Sequence, residues 1–175
     1  MFYKNLLLFA CIALSGCGFS PMNKLSDNLM TTDKTSQISI SNIPNYEGYL
    51  LKQQLEDNLN PQKTSVQKKY ILTVYLKAPT YTDQSIQGDN FASRETTRIH
   101  AKYQLKEIET GEIILQDTTS ATGAYNIVKE PYATNIAKNK LKENLIQIIS
   151  DNITVRLVSF FKTKEDISES KTDTN

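Results

Sequence analysis

The stretch SRETTRIHAKYQLKE, from Ser93 to Glu107, alternates between two kinds of side chain. Its apolar members, which recur at every second position, are Ile99, Ala101, Tyr103 and Leu105. The polar members are Arg94, Thr96, Arg98, His100, Lys102, Gln104 and Lys106. Because successive side chains of a β-strand point to opposite faces of a sheet, this pattern predicts a long strand with one face in the core and one in water.

Three other segments carry strand signatures. Gln37–Ser41 alternates between polar and apolar residues, and Lys69–Ala78 is rich in β-branched and aromatic residues. The sequence ETGE at Glu109–Glu112 offers a hairpin turn, in which glycine supplies a positive φ. The return strand is expected to begin at Ile113 and to continue to about Tyr125. Together these segments predict a mostly antiparallel sheet of four strands.

Two segments carry helical spacing instead. The first has apolar residues at Tyr46, Leu50/Leu51, Leu55 and Leu59, and Asn60-Pro61 follows it. The second, Thr134–Phe161, carries a broad apolar stripe that one long helix would bury. The order of elements predicts an α+β fold, a two-layer sandwich in which the four-stranded sheet carries two helices packed on one face.

The N-terminus has the features of a bacterial lipoprotein signal. Lys4 provides a positive charge, Leu6–Leu14 is apolar, and Leu14-Ser15-Gly16 leads to Cys17. The apolar run is too short for a membrane span. We therefore expect the Cys17 thiol to be acylated and the chain to be cut just before it. An ordinary secretory signal that happens to end near a cysteine is the alternative.

This signal sets the expected domain organisation. Residues 1–16 form the cleaved signal peptide, 17–36 the lipid anchor and tether, and 37–161 one α+β domain, while 162–175 form a disordered tail. Gly18 follows the cysteine where inner-membrane retention typically uses aspartate. We therefore expect a lipid-anchored protein on the periplasmic face of the outer membrane.

The composition argues against several functional classes. Cys11 leaves with the signal and Cys17 carries lipid, so no thiol remains for a disulfide or for catalysis. Without Lys4 the chain has 19 basic and 19 acidic residues, a balance that predicts no nucleic-acid partner. His100, the one histidine, lies between the cations Arg98 and Lys102, and the nearby sequence offers no partners for a metal site. We expect no enzyme activity, no metal and no cofactor.

One row of residues indicates binding. The cations Arg94, Arg98, Lys102 and Lys106 recur every four residues on the polar face of the predicted strand, which spaces them roughly 13 Å apart. Such a row could contact phosphates or a wall lined with carboxylates. The alternative is an ordinary solvated face, because an antiparallel sheet with one wet side needs polar residues there.

Several short motifs follow one another in a particular order and spacing over residues 17–160. These are CGFSP at Cys17–Pro21, the strand of alternating Tyr70, Leu72, Val74 and Leu76, the series Ala101, Tyr103, Leu105, the turn Thr110-Gly111, Tyr125-Asn126, and Ile153, Arg156 and Leu157 in the last helix. In these motifs the sequence resembles the LptE family of lipopolysaccharide-assembly lipoproteins. Met22-Asn23 stands where the family commonly has a tyrosine, and the acidic, serine-rich tail has no counterpart.

The resemblance implies a non-enzymatic protein that sits in the lumen of the outer-membrane β-barrel LptD. Such proteins act as plug and assembly factor, and they help deliver lipopolysaccharide to the outer leaflet. The resemblance makes the four cations candidates for contact with lipopolysaccharide or with the barrel. Two rival functions remain: a lipid-anchored periplasmic module that carries a hydrophobic ligand between helices and sheet, and a cryptic enzyme.

Overall fold

A computed structural model of the chain describes residues 34–86 and 92–172. Its elements in chain order are β1 (Ile38–Ile40), α1 (Asn45–Leu59), β2 (Tyr70–Leu76), β3 (Thr80–Ile86), β4 (Ala92–Glu107), β5 (Ile113–Asn126) and α2 (Pro131–Thr172). The strands form one sheet, and both helices pack against the same face of it. The predicted α+β two-layer sandwich is confirmed.

The described sheet contains five strands but is only four strands wide, because β2 and β3 lie end to end along the same edge of β4. Both β2 and β3 pair antiparallel with β4, and β5 pairs with β4 along its other side. Leu76 lies opposite Ala101 and Thr80 lies opposite Arg98. The segment that joins β2 to β3 therefore has one residue more than the stretch of β4 that it faces. Pro79 lies in this irregular stretch, since it cannot donate a ladder hydrogen bond. β2 lies within the strand expected at Lys69–Ala78, whereas β3 is an additional strand that the sequence analysis did not expect.

The short strand β1 closes the first edge of the sheet. It pairs parallel with β2, from Ile38 opposite Tyr70 to Ile40 opposite Leu72. The connection between the two strands contains α1, as parallel strands require a crossover. Every other pairing is antiparallel, in agreement with the expected mostly antiparallel sheet.

The core lies between the sheet and the two helices. The apolar residues of β4 that alternate in the sequence are all buried there, with Ile99 and Leu105 fully inaccessible. α1 contributes Leu51, Leu55 and Leu59, and α2 contributes Leu145, Ile146, Ile149, Ile153, Leu157 and Phe161. Burial of a leucine or isoleucine side chain stabilises a fold by about 1.5–3 kcal/mol, so this layer is the main favourable contribution.

Helix α2 is longer than the sequence analysis expected. It begins at Pro131 and continues through Thr172, past the boundary expected at Phe161. The residues that follow Phe161 include lysine and glutamate, which favour helix, and neither proline nor glycine interrupts them. Residues 162–172, which we placed in a disordered tail, are thus helical in the structure. The signal peptide, Cys17 and the tether up to residue 33 lie outside the described residues.

Gly48 lets the start of α1 approach the preceding loop. A Cβ atom built on Gly48 would lie 2.7 Å from the backbone oxygen of Ile43. Because that neighbour is main chain, it cannot rotate away as the end of a side chain can. Gly48 is therefore required by close packing, although glycine lowers helix propensity.

We expect Gly48→Ala to reduce the free energy of unfolding by about 1–3 kcal/mol, because the added methyl group overpacks the loop. Helix propensity alone predicts the opposite sign, a gain of about 1 kcal/mol. Urea denaturation followed by circular dichroism measures the change. Gly123→Ala is the comparison, since its Cβ would meet the side-chain atom Leu141 Cδ1 at 2.6 Å, which can move. A Gly48→Ala protein at least as stable as wild type would contradict the close-approach argument.

Tyr103 makes the fold sensitive to alkaline pH. Burial first, and then the nearby charge of Asp117, raise the pKa of Tyr103 from 10.0 to about 12. Stability from the protonated phenol is therefore fully present below pH 10 and is lost as the pH rises from 10 to about 12. We expect Tyr103→Phe to flatten the decline in unfolding free energy by up to about 1.4 kcal/mol per pH unit. An unchanged slope in urea denaturation across this range would refute the assignment.

Candidate binding face of the sheet

The sheet has a face that the helices do not cover, which we call the outer face. Alternation in β4 places its even-numbered residues on this face, and the register adds their neighbours from the flanking strands. Lys102 thus lies between Tyr75 of β2 and Thr118 of β5. Gln104 lies between Thr73 and Gln116 in the same way.

All four cations of the predicted row lie on the outer face. Arg94, Arg98, Lys102 and Lys106 are exposed along β4, and none of them forms an ion pair with a carboxylate in the described parts of the chain. The Arg98 Nε–H donates to Thr122 Oγ1 at 2.9 Å, which turns the guanidinium towards β5. The row is therefore available for an anionic partner.

The register brings further residues to this row that the sequence analysis did not select. The Lys77 backbone N–H donates to the carbonyl oxygen of His100 at 2.9 Å. A shallow depression of about 380 Å³ lies here, lined by Lys77, His100, Ala101, Lys102, Thr118, Thr119 and Ser120. Lys77 follows β2 directly, so only the pairing of β2 with β4 could reveal its place beside His100.

Apolar side chains accompany the cations at the hairpin end. Lys106 lies between Ile71 of β2 and Ile113 of β5. Ile113 is 48% exposed, and Tyr75, further along the outer face, is 57% exposed. The outer face therefore combines positive charge with isolated apolar groups, a mixture that suits an amphipathic partner.

Acidic residues of the sheet lie on the opposite side. In the described strands β2–β5, every aspartate and glutamate points to the helix-covered face, namely Asp83, Glu95, Glu107 and Asp117. The outer face has no carboxylate among its described strand residues. The two faces of the sheet consequently differ in the sign of their charge, although the whole chain is nearly neutral.

Glu95 joins the sheet to the first half of α2. Its Oε1 accepts a hydrogen bond from the Tyr125 hydroxyl at 2.5 Å and lies 3.4 Å from Lys138 Nζ. Lys138 Nζ also lies 4.0 Å from the centre of the Tyr81 ring. Burial and the bond to Glu95 raise the pKa of Tyr125. This carboxylate therefore anchors a helix and is not free to bind a ligand.

Asp117 makes a similar connection to the second half of α2. Its Oδ2 accepts a hydrogen bond from Arg156 Nε–H at 3.0 Å, and its Oδ1 accepts the Thr118 backbone N–H at 2.8 Å. The backbone bond and then Arg156 hold the pKa of Asp117 below its usual value. Glu47 of α1 lies 3.5 Å from Lys142 of α2. These carboxylates thus pair with cations of α2 and do not neutralise the cations of the outer face.

The histidine and the possible metal-binding side chains of the described residues can be located individually. His100 is exposed among cations on the outer face. In residues 34–86 and 92–172, no three His, Cys, Asp or Glu side chains converge on a possible metal position. No helix in the same ranges combines the length and apolarity that a membrane span requires.

The sequence matches no family model. An uncharacterized protein of Rickettsia prowazekii (strain Madrid E) is 25% identical over 158 residues, which cover 90% of this chain and 97% of that protein.

Three solved bacterial structures are similar in fold. A candidate lipoprotein of Caulobacter crescentus CB15 has a TM-score of 0.63 and 22% identity, covering 77% of this chain and 97% of its own. The minor lipoprotein of Acinetobacter baumannii has a TM-score of 0.53 and 20% identity, covering 70% and 90%. The rare lipoprotein B of Shewanella oneidensis has a TM-score of 0.53 and 12% identity, covering 75% and 96%. This chain therefore shares its fold with bacterial lipoproteins.

If the outer-face cations have no structural role, their removal should leave stability unchanged. We expect Lys102→Gln to change the free energy of unfolding by less than about 0.5 kcal/mol, because Lys102 is exposed and unpaired among the described residues. Glu95→Gln, which weakens the contacts to Tyr125 and Lys138, should cost more, about 1 kcal/mol or above. Urea denaturation of both variants tests this. An equal loss of unfolding free energy in the two variants would mean that the cation row stabilises the fold.

Proposed function

We propose that this protein is an outer-membrane lipoprotein of the LptE type. In this role it is the plug and assembly factor of an LptD-type β-barrel in the transport and insertion of lipopolysaccharide into the outer leaflet. The observation that carries the proposal is the one-sided charge of the sheet. Four exposed cations line the outer face, whereas the aspartates and glutamates of the described strands point to the opposite face of the sheet.

The chemistry of the outer face suits lipopolysaccharide. Its phosphates and carboxylates are acceptors for guanidinium and ammonium groups, and charge-assisted bonds of this kind are stronger than neutral ones. Lys77 and Lys102 flank the depression beside His100, where Thr118 and Ser120 add hydroxyl donors. Ile71 and Ile113 flank Lys106 and offer apolar contact to an acyl chain.

The same face suits the inner wall of a large barrel. A sheet face that is exposed and free of described carboxylates can pack against a polar wall that carries acidic residues. Tyr75 supplies an amphipathic ring, apolar in its body and polar at its hydroxyl. Long cationic side chains can adapt to such a wall more easily than short ones, since their stems flex.

Anchoring follows from the N-terminal sequence. The apolar run and Leu14-Ser15-Gly16-Cys17 supply a lipoprotein signal, and Gly18 favours export to the outer membrane. Each buried methylene of an acyl chain contributes about 0.8 kcal/mol to membrane binding, so several chains on one cysteine hold the protein firmly. The fold shared with other bacterial lipoproteins agrees with this assignment.

The rival function, a carrier of a hydrophobic ligand between helices and sheet, receives less support. Such a carrier needs an internal cavity, yet the side chains between the two layers are tightly buried against one another, among them Leu55, Leu72 and Ile149. A groove of about 770 Å³ lies between β1 and α1, but charged residues such as Lys52 and Glu56 line it. We likewise propose a non-enzymatic role, because the single histidine stands exposed among cations.

A triple substitution tests the proposal. We expect Arg94→Ala/Arg98→Ala/Lys102→Ala to weaken binding of purified lipopolysaccharide at least tenfold, or about 1.4 kcal/mol, because three charge-assisted contacts are lost. Co-purification of the barrel from outer membranes with the tagged protein should fall as well. Both measurements use the lipidated, full-length chain.

A control variant with the same net charge distinguishes the effect of the four-cation row from the effect of net charge. Lys63→Ala/Lys140→Ala/Lys164→Ala also removes three exposed cations, none of which lies on the sheet. This control should bind lipopolysaccharide and the barrel as wild type does. If the outer-face variant retains wild-type affinity for both partners, the row is a solvated face. If no large β-barrel protein co-purifies with the wild-type protein, the proposed plug function is refuted.

A further inference from the structure

Within residues 34–86 and 92–172, strand β5 has a neighbouring strand on one edge only. It runs for 14 residues, Ile113–Asn126, and pairs with β4 along one edge. Among the described residues, no strand pairs with its other edge. Strands in globular proteins usually have about 5–6 residues, so this is a long edge. Unpaired N–H and C=O groups along such an edge form a template for another strand.

The hydrogen bonds identify which residues of β5 face this open edge. The carbonyl oxygen of His100 bonds to β2–β3, and the N–H of Glu107 bonds to Glu112 on the β5 side. Even-numbered residues of β4 therefore bond towards β2–β3 and odd-numbered ones towards β5. The register pairs odd residues of β4 with odd residues of β5, for example Ile99 with Ala121. The even residues of β5 consequently direct their backbone groups outwards.

Part of this edge is already protected. The carboxylate of Asp117 accepts the outward N–H of Thr118, and Arg156 holds that carboxylate in place. An inward-pointing charge of this kind is a common device against edge pairing. From Ser120 to Asn126 the strand contains neither proline nor a charged residue. The second half of β5 therefore lacks the usual protection.

The charge beside this half selects the kind of strand that would bind. Arg98 Nε–H donates to Thr122 Oγ1, so its guanidinium lies over β5 and towards the open edge. An added strand would run about 4.8 Å beyond β5, with alternate side chains on the outer face. Carboxylates at those positions would meet Arg98 and, at the end of the strand, Arg94, which pairs with Asn126. A second copy of β5 would instead bring like charges together on this face.

We propose that the Ser120–Asn126 edge of β5 binds an extended segment of another protein by strand addition, and that this segment carries acidic side chains at alternate positions. Backbone bonds from the even residues of β5 hold the segment, and the cations of β4 select its charge. This interaction goes beyond the proposed function, since it requires neither lipopolysaccharide nor a barrel.

Hydrogen exchange measured by NMR on the full chain tests the proposal. The probe is a short peptide of alternating threonine and glutamate, and the control peptide replaces glutamate with lysine. In the free protein, the amides of Ser120, Thr122 and Ala124 should exchange quickly, whereas that of Ala121, bonded to β4, exchanges slowly. Saturating acidic peptide should slow the three even amides about tenfold or more. The lysine peptide should not.

Two results would overturn the proposal. Slow exchange of the even amides in the free protein would mean that its own chain or a second copy already covers the edge. Equal protection by both peptides would remove the charge selection. Because neither peptide resembles lipopolysaccharide or a barrel, failure here would leave the proposed function standing.

Variants separate backbone pairing from charge. Ser120→Pro removes an outward N–H without touching the ladder to β4, and it should abolish protection of Thr122 and Ala124. Ser120→Ala keeps that N–H and should retain protection. Arg98→Gln/Lys102→Gln, which leaves the backbone intact, should remove the preference for the acidic peptide. If Ser120→Pro fails to fold, this double variant still tests the charge selection. Wild-type protection in both the proline and the glutamine variants would refute strand addition.

Discussion

The structure depends on one constraint, the two-residue alternation along β4. This strand pairs with neighbours on both sides, so every residue from Arg94 to Lys106 has its backbone held in a ladder. Its side chains must then go to one face or the other. The odd residues, such as Tyr103 and Leu105, pack beneath the helices, and the even residues face outwards. A shift of one residue would bury the cations and expose the core, which makes this register strongly determined.

The same alternation separates the charges of the sheet. Two carboxylates at odd positions, Glu95 of β4 and Asp117 of β5, contact α2, where Glu95 reaches Lys138 and Asp117 reaches Arg156. Their negative charge is used to attach α2 to the sheet. The cations at even positions have no such partner among the described residues. A chain with almost no net charge therefore presents a positive surface, and this surface supports both the proposed lipopolysaccharide contact and the selection of an acidic strand.

Much of this arrangement was predictable from local patterns. The hairpin at Thr110-Gly111, the return strand and the four cations on one face follow from periodicity and turn chemistry. The strand β3 was missed because Thr80–Ile86 is largely polar and forms a strand by pairing with β4. The extension of α2 to Thr172 was missed because a charged segment without an apolar stripe resembles a tail. In both cases the local sequence is ambiguous, and a neighbouring element decides its conformation.

The sequence by itself determined the two faces of β4 and the core leucines of α1, Leu51, Leu55 and Leu59, and it predicts a lipoprotein signal at Cys17. Each of these depends on residues close together in the chain. Only the tertiary structure placed Lys77 beside His100, turned Arg98 towards Thr122, and left one edge of β5 without a neighbouring strand among the described residues. The physical reason is that register comes from hydrogen bonds between segments distant in sequence. Periodicity tells which way a side chain points, but it does not tell which residue lies opposite.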